Sequence, residues 1–133
     1  MNSLSDLLLV FHGSRTEGVA GEALAFRDAL AAQGNWRSVS PAWIQFGEPS
    51  VEEALERLAN DGARRVVVIP LLVLPGRHLD VDLPRAVQAF RERHPGCAVN
   101  MTGSLVSTDG FDRLIAAVAE EAGSRQRAVG RGQ

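Results

Sequence analysis

His12 and His78 are the residues whose type and position point most directly to chemistry. His12 follows the apolar run Leu7-Leu8-Leu9-Val10-Phe11, and His78 sits in the loop after the longer run Val66 to Leu74. Neutral imidazoles bind borderline divalent ions such as Co²⁺, Ni²⁺, Fe²⁺ and Zn²⁺. They also accept protons near neutral pH. Two histidines fall short of the four ligands of a structural zinc site. A loosely held ion with open coordination positions suits transfer better. The competing reading is that His12 caps a turn and His78 caps a helix, and spacing alone leaves both open. The third histidine, His94, precedes Pro95-Gly96, where it reads as a partner of a helix dipole.

Charged and polar residues gather near the same two loops. Ser14 and Arg15 follow His12, and Arg77 precedes His78. Guanidinium groups in those positions can clamp carboxylates bidentately, so an acidic ligand is expected, with Ser14, Arg15 and Arg77 as its contacts. Glu48 follows the second strand and is a further candidate for the crevice, though it suits the first turn of a helix equally well. Arg64 and Arg65 fall at the opposite end of the third strand and read as solvated surface.

These residues need elements to position them. Leu7 to Phe11 is apolar on both faces, as in a strand buried within a parallel sheet. Ala20 to Gln33 has roughly helical spacing and stops at Gly34. Val39 to Phe46 is a predicted second strand, broken by Gly47-Glu48-Pro49-Ser50. Ser50 with Glu53 forms a capping box that starts a helix ending near Gly62. Val66 to Leu74 begins as a third strand, although Pro70 cannot donate to a ladder. A helix is predicted from Asp80 or Asp82 to Arg93, with Pro84 tolerated in its first turn. Cys97 to Thr102 is the fourth strand, and Thr108 or Asp109 caps a last helix through Ala122.

Such βαβαβαβα alternation predicts a three-layer α/β/α fold, with a four-stranded parallel sheet and helices on both faces. In a flavodoxin-like order of 2-1-3-4, ligands bind beyond the carboxyl ends of the strands, where the order reverses between strands 1 and 3. His12 and His78 then share one crevice. A single domain over residues 1–122 is expected, with 123–133 as a flexible, small, polar and basic tail.

Bulk properties narrow the class. The chain has 133 residues, enough for one core. A net charge of -2 gives no basic field to attract nucleic acid. No apolar run approaches the roughly 20 residues of a membrane span. No basic segment precedes an apolar run at Met1 to Asp6, so no signal peptide is expected. The lone cysteine, Cys97, allows no internal disulfide and agrees with a cytoplasmic setting. No glycine-rich phosphate loop is present, so no nucleotide or organic cofactor is expected.

The segment Leu8-Leu9-Val10-Phe11-His12-Gly13-Ser14-Arg15 resembles the opening motif of the small CbiX-type sirohydrochlorin chelatases. Phe46 to Leu55 and Arg65 to Pro84 are similar to that family's second and third blocks, in family order, and the likeness covers about Leu7 to Ala122. The resemblance implies a chelatase-like α/β fold, half the size of two-lobed chelatases. It implies a homodimer whose cleft holds the macrocycle. It also implies insertion of Co²⁺, Ni²⁺ or Fe²⁺ into sirohydrochlorin or a precorrin-2-like tetrapyrrole, toward cobalamin, siroheme or a nickel tetrapyrrole. The family's two metal-handling histidines match His12 and His78. The family often has Gly where Phe11 stands, Glu where Gln45 stands, and Gly-Gly-His where Gly76-Arg77-His78 stands.

Two rival functions are weighed against chelation. A metal or tetrapyrrole carrier without turnover is one, motivated by Phe11 and Gln45. The other is a histidine phosphatase, which also opens strand-His-Gly with the histidine as nucleophile. Those enzymes usually place Arg directly before that histidine, and here the position is Phe11.

Overall fold

Strand β1 (Asp6–Phe11) is the centre of the molecule, and from Asp6 to Val10 every residue is buried. A strand this apolar needs neighbours on both edges and helices on both faces. In the computed structural model, which describes residues 4–131, it pairs in parallel with β2 (Ser38–Trp43) and with β3 (Arg65–Pro70). β3 in turn pairs with β4 (Ala98–Met101), giving the order β2-β1-β3-β4. The expected order is therefore the observed one. Pro41 is tolerated on the edge strand β2. Pro70 is tolerated because β4 pairing ends at Val68↔Met101, so its missing donor falls past the last rung.

Six further elements follow: α1 (Val19–Ala31), α2 (Val51–Asn60), a π-helical turn (His78–Asp82) leading into α3 (Leu83–Arg93), a 3-10 turn (Leu105–Ser107) and α4 (Phe111–Arg131). Ser50 caps α2 as predicted, its side-chain oxygen accepting from the Glu53 N–H at 3.2 Å. The main core lies between one sheet face, with Leu8, Val10, Val66, Val68 and Val99, and α2 and α3, which contribute Leu55, Val87 and Phe90. On the other face Leu7 and Leu9 are buried, and α1 lies over the β1–β2 side.

One expectation needs correction. The last helix does not stop near Ala122 but runs to Arg131, past Gly123, where Glu121 pairs with Arg125 one turn on and Arg127 donates to Ser124. Helices lie on both faces, as expected, though not evenly. Every residue of α4 from Asp112 to Ala122 is exposed, so the second face carries α1 alone over its β1–β2 half. The apolar stripe of α4 announces that some surface covers it, but periodicity does not say which. The last two residues of the expected tail, 132–133, lie outside the described residues.

Candidate functional site

The two histidines meet. Their ring centres are 5.6 Å apart and the rings cross at 68°. A divalent ion sits about 2.0–2.1 Å from an imidazole nitrogen, so two rings sharing one ion at a tetrahedral angle have centres about 5 Å apart. The observed spacing is close to that of a two-imidazole ion site.

His12 is carried there by the end of β1. Beyond the strand, the Ile44 N–H donates to Phe11 O at 2.9 Å and the Gln45 N–H donates to His12 O at 3.1 Å. The chain after β2 is thereby zipped against the His12 loop. Gly13 makes this approach possible: its φ is 97°, and a Cβ there would lie 1.8 Å from the Gln45 carbonyl oxygen. Only glycine both adopts that conformation and leaves that space. The His-Gly pair thus has a geometric cause.

His78 arrives by a different route. The Leu71 N–H donates to Val10 O at 2.8 Å, holding the start of the post-β3 loop beside β1. The Asp80 N–H donates to Gly76 O at 2.8 Å and opens the π-helical turn. One turn on, Asp82 places Oδ2 at 3.0 Å from His78 Nδ1. With Nδ1–H donating to that carboxylate, Nε2 keeps its lone pair for a metal or a proton. His12 Nδ1 lies 3.3 Å from Gly13 O, a weaker pairing of the same sense. The Gln45 amide nitrogen is 3.4 Å from both ring nitrogens of His12, so it sits astride the ring and saturates neither.

His78 separates two open hollows. One, of about 190 Å³, lies on the side of Trp43, Ser50, Glu52 and Asp82. The other, of about 310 Å³, also includes His12 and Arg77 and is walled by Leu71 to Leu74. His12 is exposed and the His78 side chain is 42% exposed, so an incoming ion reaches both. Among the described residues, no group of three or more His, Cys, Asp or Glu side chains surrounds a metal position. The two imidazoles thus stand as a pair at an open mouth.

The other candidates are distributed around this pair. Ser14 is half-buried and its Oγ accepts from the Thr16 N–H at 3.0 Å. The Arg15 guanidinium lies over the exposed Phe46 ring, 4.4 Å from its centre, a cation–π arrangement. Phe46 holds φ 55°, which a non-glycine residue rarely adopts. Arg77 is exposed beside His78. Glu48 lies in the exposed turn after β2 and lines neither hollow, whereas Glu52, in the first turn of α2, lines one. His94 belongs to another place: it ends α3, stacks on Phe90, and meets Glu56 at 2.8 Å. Asp82 was readable in the sequence only as a helix start, and Gln45 only as a departure from a family pattern. Neither partnership is visible without the turn geometry.

The doubly wound α/β sheet, with two accessible imidazoles at its switch point, defines a small single-sheet α/β protein with an open crevice beyond the strands' carboxyl ends. The family model CbiX matches residues 6–124, and the chain belongs to that family. The chain is 30% identical over 89 residues to the sirohydrochlorin ferrochelatase of Priestia megaterium, covering 67% of this chain and 34% of that protein. It is 31% identical over 85 residues to the sirohydrochlorin cobaltochelatase of Sulfurisphaera tokodaii, covering 64% of this chain and 69% of that one. It therefore spans about a third of the length of the Priestia ferrochelatase and over two-thirds of the Sulfurisphaera cobaltochelatase. Among solved structures, the sirohydrochlorin chelatase SirB from Bacillus subtilis, in complex with cobalt, superposes with a TM-score of 0.71 at 26% identity, covering 77% of this chain and 44% of SirB. A cobalamin-biosynthesis CbiX protein from Marinobacter aquaeolei gives a TM-score of 0.76 at 21% identity, covering 91% of this chain and 98% of that one, and shares the fold.

Proposed function

We propose that this protein is a sirohydrochlorin metal chelatase that inserts Co²⁺, or Ni²⁺ or Fe²⁺, into the tetrapyrrole and works as a homodimer in the cytoplasm. The observation that carries the reading is the 5.6 Å approach of His12 and His78 at an open mouth. Family membership supports it, as do the names of the relatives, which are ferrochelatases and cobaltochelatases of one substrate.

In this reading the hydrated ion is held by the Nε2 atoms of His12 and His78, with its other positions on water. Two weak ligands leave the ion free to move when four macrocycle nitrogens replace them. Insertion releases two protons from those nitrogens, and a neutral imidazole freed of its metal is a competent acceptor near pH 7. Asp82 keeps His78 in the tautomer that presents Nε2, and stabilises the imidazolium once the ring takes a proton. Ser14, Arg15 and Arg77 orient the peripheral carboxylates of the substrate. Glu48 stands farther out, where it meets only the edge of the macrocycle. Cys97 takes no part. It is buried, and burial raises its thiol pKa, with Asp6 adding to the effect, so the reactive thiolate is suppressed.

The test is to mix the purified protein with sirohydrochlorin and Co²⁺, Ni²⁺ or Fe²⁺ and follow the absorption spectrum. Insertion faster than in buffer is expected for the wild type, and a rate near that of buffer for His12→Ala. A wild type no faster than buffer with every ion overturns the reading. Stoichiometric binding without multiple turnovers would assign the carrier role instead.

A further inference from the structure

We propose that Phe46, with Arg15 behind it, is an aromatic platform on which one face of the flat, conjugated macrocycle stacks. The inference rests on the chelatase reading and names a residue that positions its substrate. Phe46 is unusual twice over. It is 50% exposed, although burying a phenyl ring is among the larger apolar gains open to a side chain. Its φ of 55° lies in the left-handed region, where a bulky residue is an outlier. A residue held in that conformation persists only where its surroundings fix it. Here they fix it from both sides. Before it, the Gln45 N–H donates to His12 O at 3.1 Å. After it, Gly47 lies so close over Trp43 that a Cβ there would come within 2.7 Å of the indole ring. The Trp43 N–H donates to Pro49 O at 3.0 Å and closes the turn. The turn holds an aromatic ring out in solvent at a backbone cost that an ordinary loop residue would not incur.

The position of the ring suits a stack. In the strand order β2-β1-β3, the loops after β2 and β3 flank the loop that carries His12. Phe46 stands on the β2 side, next to Gln45, whose amide nitrogen is 3.4 Å from both nitrogens of the His12 ring. Val73 and Leu74, 52% and 65% exposed, stand on the β3 side and wall the hollow that His12 and His78 line. Apolar surface thus flanks the imidazole pair on each side. That arrangement suits a flat ring system whose faces are apolar and whose charges lie at its rim. The Arg15 guanidinium is 4.4 Å from the centre of the Phe46 ring and covers one face, and the exposed remainder leaves the other for the macrocycle. Stacking on a π-face fixes the tilt of a flat ligand but not its rotation. Arg15 is itself exposed, and its N–H donors fix the rotation through a peripheral carboxylate.

Sirohydrochlorin is titrated into the full chain without metal and followed by its absorption, for the wild type and for Phe46→Tyr, Phe46→Leu and Phe46→Gly. Phe46→Leu should weaken binding about 3- to 10-fold, Phe46→Gly at least as much, and Phe46→Tyr should bind as the wild type does. Glycine relieves the left-handed backbone, so Phe46→Gly should be no less stable in urea, and its weaker binding is then not misfolding. Co²⁺ affinity without the macrocycle, measured by isothermal titration, should stay the same in all three variants. In steady-state insertion the loss should fall on KM more than on kcat. A wild type that binds sirohydrochlorin no more tightly than Phe46→Leu and Phe46→Gly overturns the platform and leaves the chelatase reading standing. So does a Phe46→Tyr protein as weak as Phe46→Leu, because the ring is then not what binds. A Co²⁺ affinity that falls together with macrocycle affinity overturns it too, since Phe46 would then act through His12. A wild type that binds no sirohydrochlorin fails the chelatase reading itself, and the platform with it.

Discussion

The hydrogen bond from His78 Nδ1 to Asp82 leaves Nε2 as the ring nitrogen free to meet an ion, so in the proposed reaction Asp82 is a positioning residue. Asp82→Asn replaces a charged acceptor by a neutral one and loosens the ring's orientation. Co²⁺ affinity should fall by about 10- to 100-fold, measured by isothermal titration, with the fold unchanged by circular dichroism. Unaltered affinity would mean that the ring needs no such partner. Gly13 sets the other half of the site. Gly13→Ala forces a Cβ into the Gln45 carbonyl at a φ of 97°, and should cost about 3 kcal/mol in a urea titration. A cost below about 1 kcal/mol would show that the loop after β1 gives way easily.

At the scale of elements, α2 and α3 are joined outside the core by Glu56, which accepts from Arg93 at 2.9 Å and pairs with His94 at 2.8 Å. Arg93, and then His94, hold the Glu56 carboxyl below its ordinary pKa of 4.5. A depressed pKa in the folded state means that the stabilisation is present above the unfolded value. It is lost as pH falls through the folded one. The link between the two helices should therefore persist down through pH 4.5 and release only below it. A carboxyl-carbon NMR titration of Glu56 reads this directly, and a midpoint at or above 4.5 would deny the pairing in solution. The elements themselves were legible in the sequence where a local cause exists. Ser50 with Glu53 announced α2, and Pro84 fell in the first turn of α3. The end of α4 was not, because Gly123 reads as a stop although the Glu121–Arg125 pair carries the helix past it.

For the molecule as a whole, the end of the sheet away from the crevice is pinned by Asp6. Its buried carboxylate accepts from Arg37 at 2.9 Å and from the Ser38 hydroxyl. The same guanidinium donates to the Asp61 carbonyl at the end of α2 at 2.9 and 3.1 Å. One residue thus ties β1, the start of β2 and the end of α2. Removing one member of a fully buried pair costs about 3–5 kcal/mol. Arg37 is 38% exposed and can be rehydrated, so Asp6→Ala should cost about 2–3 kcal/mol, read by thermal or chemical denaturation. A smaller loss would mean that β1–β2 pairing alone holds this end.

The sequence by itself determined the strands, their parallel order and the loops that carry His12 and His78. Apolar runs bounded by glycine, proline and polar residues report burial locally, and doubly wound sheets gather their functional loops at one end. It could not determine that Asp82 turns to His78 or that Gln45 lies astride His12, because both depend on the path of a turn rather than on residue type. Nor could it determine the bed of α4. The spacing of Leu114, Ile115 and Val118 requires that one side of a helix be covered, but the covering surface is a property of the assembled sheet, and only the tertiary structure shows that α4 leaves its own sheet uncovered.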